Sequence, residues 1–421
     1  MDWKEFQLHN GLKVIYKIFH EFHSVGIGIW VKVGSRFEKE NNSGISHFIE
    51  HLLFKGTKKR NYRQIKELIE GVGGSFNGFT SEEVTCYWIK ILGKYLERSI
   101  DVLSDMVQNP LMKKEDIEKE RKVIIEEINM YKDLPSRYVH ELFDQVLFAD
   151  HPLGMSISGT TESIGNIRRE NLIEFLKTYY SPQNIVLSIC GNFLESDLEK
   201  IVEKYLGKMD KKKENKFIGW KGRPSGPKIK LLYKETEQVH FCLGGFCFSR
   251  LDEKKYPMAI LNLIIGGNMS SRLFNQVREK RGLAYEIRSY TKSYQDTGAF
   301  VISAGVAPSK TEESLKVIIE EIFKIKEEGI KDKELINAKK FLISQFLMSL
   351  EDNLDYMLWL GEQRLFKKKL DSIAEIVNKI EKVEKHQVEN IAKEIFSPMN
   401  FYLSLIGPEK KEEQLLKILK G

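Results

Sequence analysis

An internal repeat is the strongest constraint on what this chain can fold into. The segment Ser181-Pro182-Gln183-Asn184-Ile185-Val186-Leu187-Ser188-Ile189-Cys190-Gly191 reads like Ser397-Pro398-Met399-Asn400-Phe401-Tyr402-Leu403-Ser404-Leu405-Ile406-Gly407, 216 residues further on. Earlier in each half, Ser35-Arg36-Phe37-Glu38 closes one β-rich run and Ser249-Arg250-Leu251-Asp252 closes another, 214 residues apart. Two separate pairs at nearly one offset predict a duplicated domain of roughly 210 residues. A length of 421 residues, long for a single core, agrees. The charged stretch 209–228, with Gly222, Pro224, Gly226 and Pro227, is expected to link domains 1–208 and 229–421.

Each half mixes strands and helices. Leu8 to Tyr16 with its Asn10-Gly11 turn predicts a hairpin, and Val25 to Val33 and Val84 to Ile91 predict strands. Arg63 to Glu70 and Leu96 to Gln108 predict helices. Strand runs with long helices and no regular βαβ alternation point to an α+β fold with mostly antiparallel sheets. Composition narrows the function classes. The net charge of +6 comes from interleaved Lys and Glu, and its basic runs, Lys58-Lys59-Arg60 and Lys211-Lys212-Lys213, are short. A solvated surface is expected, not a nucleic-acid patch. No run approaches the ~20 apolar residues of a membrane span, and the first residues lack a signal-peptide design. Cys86, Cys190, Cys242 and Cys247 sit in apolar runs without metal-type pairing, so reduced core cysteines of a cytoplasmic protein are expected.

The chemistry concentrates in Ile45-Ser46-His47-Phe48-Ile49-Glu50-His51-Leu52-Leu53. At ~100° per residue, Ile45, Phe48, Ile49, Leu52 and Leu53 share one apolar arc, and His47, Glu50 and His51 gather opposite. Histidines at i and i+4 can reach one ion, and Glu50 can stand beside it as a general base. A catalytic zinc takes three protein ligands. On the helix expected from Asp116 to Tyr131, Glu120 and Glu127 both lie at the edge of the apolar stripe formed by Ile117, Ile124, Ile128 and Tyr131. Periodicity leaves these two carboxylates equally placed, with an Arg or Lys as the other partner either could have.

His47-Phe48-Ile49-Glu50-His51 is an inverted H-x-x-E-H motif. The chain resembles the pitrilysin (insulinase) family of zinc peptidases, in the mitochondrial processing peptidase branch, over nearly its whole length. His151-Pro152-Leu153-Gly154, Asn184 to Asn192, Gly266 to Phe274 and Val277 to Tyr285 carry the likeness further. The resemblance implies Glu127 as third ligand, Glu120 as a supporting group behind the ligands, and one zinc per chain. It implies that Arg278 and Tyr285 bind substrate and steady the oxyanion. It also implies that Phe76, Asn77, Gly78 and Phe79, within Gly73 to Thr80, form an edge strand that takes an extended peptide. Equivalent positions in the second half are Leu261, Ile264, Ile265 and Gln345, so that half is expected to be metal-free. The expected molecule is a clamshell of two half-barrel-like domains. It acts as a homodimeric chamber that hydrolyses unfolded peptides, without nucleic-acid or membrane partners. The rival readings are a catalytically silent scaffold subunit of the same family and, from a pI near 8.8, a basic nucleic-acid-binding protein.

Overall fold

A computed structural model describes residues 3–212 and 215–420. Lys213, Glu214 and Met1-Asp2, which enter the basic run, the linker and the signal-peptide reading above, lie outside the described residues. The chain forms two compact units, each built on one sheet.

Unit one holds a six-stranded sheet of β1 (Lys4–Gln7), β2 (Lys13–Ile18), β3 (Ser24–Val31), β4 (Ser75–Thr80), β5 (Thr85–Leu92) and β6 (Ile185–Gly191). Its spatial order is β1-β2-β6-β3-β5-β4, and every pairing is antiparallel except β2 with β6. The hairpin forms around Asn10-Gly11 as expected, and Gly11 takes a left-handed φ of 93° that glycine adopts without strain. Its strands are Lys4–Gln7 and Lys13–Ile18, so the hairpin extends beyond the predicted span at both ends, and the Asn10 side chain donates to the Leu206 and Gly207 carbonyls.

Unit two holds β7 (Lys228–Tyr233), β8 (Val239–Cys247), β9 (Ala284–Ser293), β10 (Gly298–Val306) and β11 (Tyr402–Gly407). The order is β7-β11-β8-β10-β9, again with one parallel pair, β11 with β7. This is the order of the first sheet without β1, so the repeat read from Ser181 and Ser397 is a repeat of topology. The α+β expectation holds.

The compact units do not follow the sequence halves. Unit one takes the chain up to Asn129, Met155–Ile218 and also Leu347–Ile373; unit two takes Met130–Gly154, Gly219–Phe346 and the chain from Ala374 on. Each sheet is therefore covered by a helix from the opposite half. In unit one that helix is Asn353–Phe366, whose Tyr356, Met357 and Leu360 join Ile15, Trp30, Cys86 and Val186 in a buried cluster. Glycines permit the close approach: a Cβ at Gly28 would stand 2.5 Å from the Met357 sulfur, and one at Gly361 would stand 2.1 Å from the Trp30 ring nitrogen. In unit two the helix Pro135–Leu147 packs Val139, Leu142 and Phe143 against Cys242, Val301 and Ile406. His140 lies inside this helix, which Pro135 opens at its first position. The four cysteines are free. No helix among the described residues is long and apolar enough to cross a membrane.

Candidate metal centre

The site is built on the helix Ile45–Leu53, in unit one. Ile45, Phe48, Ile49, Leu52 and Leu53 are buried, as the wheel requires, which leaves His47, Glu50 and His51 on the other face. The helix begins at Gly44, with φ 89° and no side chain to cap its amides. Glu38 supplies the cap from outside the helix: its carboxylate accepts from the Gly44 and Ser46 amides at 2.7 and 2.8 Å. Burial pushes the Glu38 carboxyl up to about 7, against the pull of those same amides. Next to it, Arg36 is fully buried, bonded to Glu83 at 2.7 Å and stacked on Phe217 at 4.0 Å. These contacts fix the turn that delivers the helix.

The long helix Lys114–Asp133 brings both candidate carboxylates to the histidines and sets them against different nitrogens of His51. Glu127 Oε2 lies 3.9 Å from His47 Nε2 and 3.7 Å from His51 Nε2. Glu120 faces the other nitrogen of the same ring, with Oε2 3.2 Å from His51 Nδ1. Its second oxygen meets Lys55 Nζ at 2.8 Å. Burial acts to raise the Glu120 carboxyl, and the bonds from His51 and Lys55 overcome it and leave it below the usual range.

The three converging atoms fit a metal. One ligand atom each from His47, His51 and Glu127 lies within 4.8 Å of the others, and among the described residues this is the one such cluster. Separations of 3.7 and 3.9 Å are too long for hydrogen bonds, so no direct bond accounts for the gathering. Ligands about 2.0–2.1 Å from a tetrahedral zinc stand roughly 3.3 Å apart, close to what is seen. Burial holds the His47 imidazole down at about 4, aided by the nearby His51 ring, so it is neutral and able to ligate at ordinary pH. His47 Nδ1 is buried without a hydrogen-bond partner, whereas His51 Nδ1 has Glu120.

Glu50 sits beside the cluster. Burial raises its carboxyl, the Thr80 hydroxyl bond and His51 oppose the rise, and the Glu127 charge adds to it. Thr80 ends β4, the edge strand of the sheet. Alternation along β4 divides the expected peptide-binding residues. Phe76 packs on Phe54 at 5.5 Å and Gly78 lies against Glu50, whereas Phe79 turns to the other face and meets Trp30 at 5.6 Å. Asn77 bonds the Gly78 amide through its own side chain. What the four share is therefore a backbone edge unpaired among the described residues, not a common side-chain surface. Thr80, Lys55 and Glu38 were not singled out as site residues from the sequence. The alternation Phe76, Gly78, Thr80 is the signal that could have pointed to Thr80; nothing comparable marks Lys55.

Arg278 and Tyr285 lie side by side in unit two. The Arg278 guanidinium stands 5.6 Å from the Tyr285 ring centre and 4.8 Å from Phe274. Arg278 is carried on Phe274–Glu279, a π-helical turn, and Tyr285 is 77 % exposed at the start of the edge strand β9. Leu261, Ile264 and Ile265, at the positions equivalent to His47, Glu50 and His51, are buried apolar side chains of the helix Lys255–Ile265.

Comparison with known proteins decides the family. Residues 13–161 match the family described as Insulinase (Peptidase family M16), and residues 166–342 match its Peptidase M16 inactive domain. A chain of Bacillus subtilis named uncharacterized zinc protease YmxG is 36% identical over 406 residues, covering 96% of this chain and 98% of the relative. The chain belongs to the M16 (insulinase) peptidase family. A second relative, the Streptomyces coelicolor chain named uncharacterized zinc protease SCO5738, is 34% identical over 417 residues, covering 96% of this chain and 90% of its own length. Among solved structures, a protease from Helicobacter pylori superposes with a TM-score of 0.90 at 22% identity, over 96% of this chain and 99% of that one. A peptidase M16 inactive domain from Pseudomonas fluorescens gives 0.89 at 21%, over 97% and 98%. These two likenesses bear on the M16 fold alone.

Proposed function

We propose that this M16 protein is a zinc metalloendopeptidase that hydrolyses unfolded or extended peptides. The observation that carries the reading is the convergence of His47, His51 and Glu127 with Glu50 beside them. One zinc per chain would be held by those three side chains, with Glu120 orienting His51 from behind. Zinc held there would activate a water and polarise the scissile carbonyl. Glu50 takes the water proton and passes it to the leaving amine; a carboxyl raised by burial is suited to both steps. The free edge of β4 lines the site and offers backbone groups to an extended peptide, which a folded substrate could not present. Arg278 and Tyr285 are assigned to substrate binding and oxyanion stabilisation. We further propose a homodimer that encloses the peptide. The four free cysteines support a reducing compartment such as the cytoplasm.

The test is digestion of an unfolded peptide library, and of folded proteins, by the zinc-loaded full chain with and without a chelator. The expected result is cleavage of the peptides alone, abolished by chelation and restored by zinc. Peptide cleavage that survives complete metal removal would overturn the reading.

A further inference from the structure

We propose that Thr80 is a positioning residue that ties the edge strand β4 to Glu50, so that one element presents the peptide-pairing edge and orients the base. The inference rests on the metallopeptidase reading above. The Thr80 hydroxyl donates to Glu50 Oε2 at 2.6 Å, within the range of a charge-assisted O–H···O⁻ bond. Among the described residues it is the side chain that hydrogen-bonds this carboxylate. Two positions earlier on the same face of the strand, Gly78 lies against the stem of Glu50. A Cβ added there would stand 3.2 Å from Glu50 Cγ and 3.2 Å from the Tyr87 ring. The strand therefore holds Glu50 at its stem through Gly78 and at its head through Thr80.

The consequence is orientational. A carboxylate on a helix surface turns about its terminal torsion, which is broad and roughly two-fold. With Oε2 engaged by Thr80, the other oxygen is left to meet the proton, and the search for a productive geometry is shortened. Among the described residues the same strand is the edge of the sheet and pairs on one side only, with Gly78 opposite Tyr87 and Thr80 opposite Thr85. A peptide added to that edge would lie against the element that fixes the base.

The test compares Thr80→Val, which keeps the shape and removes the hydroxyl, with Thr80→Ser, which keeps the hydroxyl. Each is made in the zinc-loaded full chain and assayed on an unfolded peptide. For Thr80→Val the expected result is a fall in kcat of about tenfold to a hundredfold, with KM and zinc content unchanged. Thr80→Ser should stay within about threefold of the wild-type kcat. Thr80→Ala repeats the loss of the hydroxyl should valine disturb the strand. Wild-type kcat in the variants without the hydroxyl overturns the proposal and leaves the metallopeptidase reading standing. An equal fall in Thr80→Ser and Thr80→Val, or a fall that follows loss of zinc, also overturns it. Full activity of Glu50→Gln would strike the assignment of Glu50 as base, and this proposal with it, whereas cleavage that survives metal removal would strike the metallopeptidase reading.

Discussion

At the scale of single residues, Lys55 carries the most informative prediction. It reaches Glu120, and Glu120 reaches His51 Nδ1, so a cation at the surface steadies a ring whose other nitrogen faces Glu127. Lys55→Ala is expected to weaken zinc binding about tenfold to a hundredfold, as removal of such outer partners does. Competition with a chelator of known affinity measures this; unchanged affinity would show that Glu120 orients His51 unaided. The histidines and Glu50 were legible because they lie within five residues of each other and the helix period places them together. Glu120 and Glu127 could not be ranked by periodicity, because both lie beside the same buried stripe. The structure separates them by which nitrogen of His51 each one faces. Strand alternation could have marked Thr80, but not its bond to Glu50, which lies 30 residues away on another element.

At the scale of elements, the helix Ile45–Leu53 depends on a cap that its own N-terminal residue cannot provide. Glu38→Ala would leave the Gly44 and Ser46 amides buried and unpaired. The expected cost is about 1–3 kcal/mol of stability, with faster hydrogen exchange at Gly44 and Ser46. Denaturant unfolding and amide exchange check this, and exchange at the wild-type rate would argue against the capping role. Leu96 to Gln108 was placed to the residue, because its apolar period runs cleanly between turn signals. Helix Pro135–Leu147 has no counterpart among the predicted elements, although a proline is welcome at a helix start. Which sheet that helix covers was not legible either. An apolar stripe demands burial without naming the surface that buries it, so the exchange of one helix between halves appears only in three dimensions.

At the scale of the whole molecule, the duplication leaves two sheets of one topology with different chemistry on them. Unit two carries a polar cluster between the helix Pro135–Leu147 and its sheet. His140 Nδ1 lies 2.6 Å from the Tyr290 hydroxyl and 3.3 Å from Cys242 Sγ. Burial lowers His140 to about 4, helped by Lys292, Arg288 and His240, from an ordinary 6.5. A histidine lowered on folding is kept neutral by the fold. Its contribution is therefore fully present above pH 6.5 and is lost as pH falls from there through about 4. The loss amounts to roughly 3 kcal/mol at most. His140→Phe should flatten the acid limb of stability in denaturant unfolding across that window; an unaltered acid limb would place the titrating group elsewhere. The claim on which the whole account turns is that Glu50 is the base of a zinc peptidase. The most direct test is the cleavage rate of an unfolded peptide by zinc-loaded Glu50→Gln relative to wild type. The account predicts a loss of about a hundredfold to ten-thousandfold with zinc retained; a wild-type rate would contradict it.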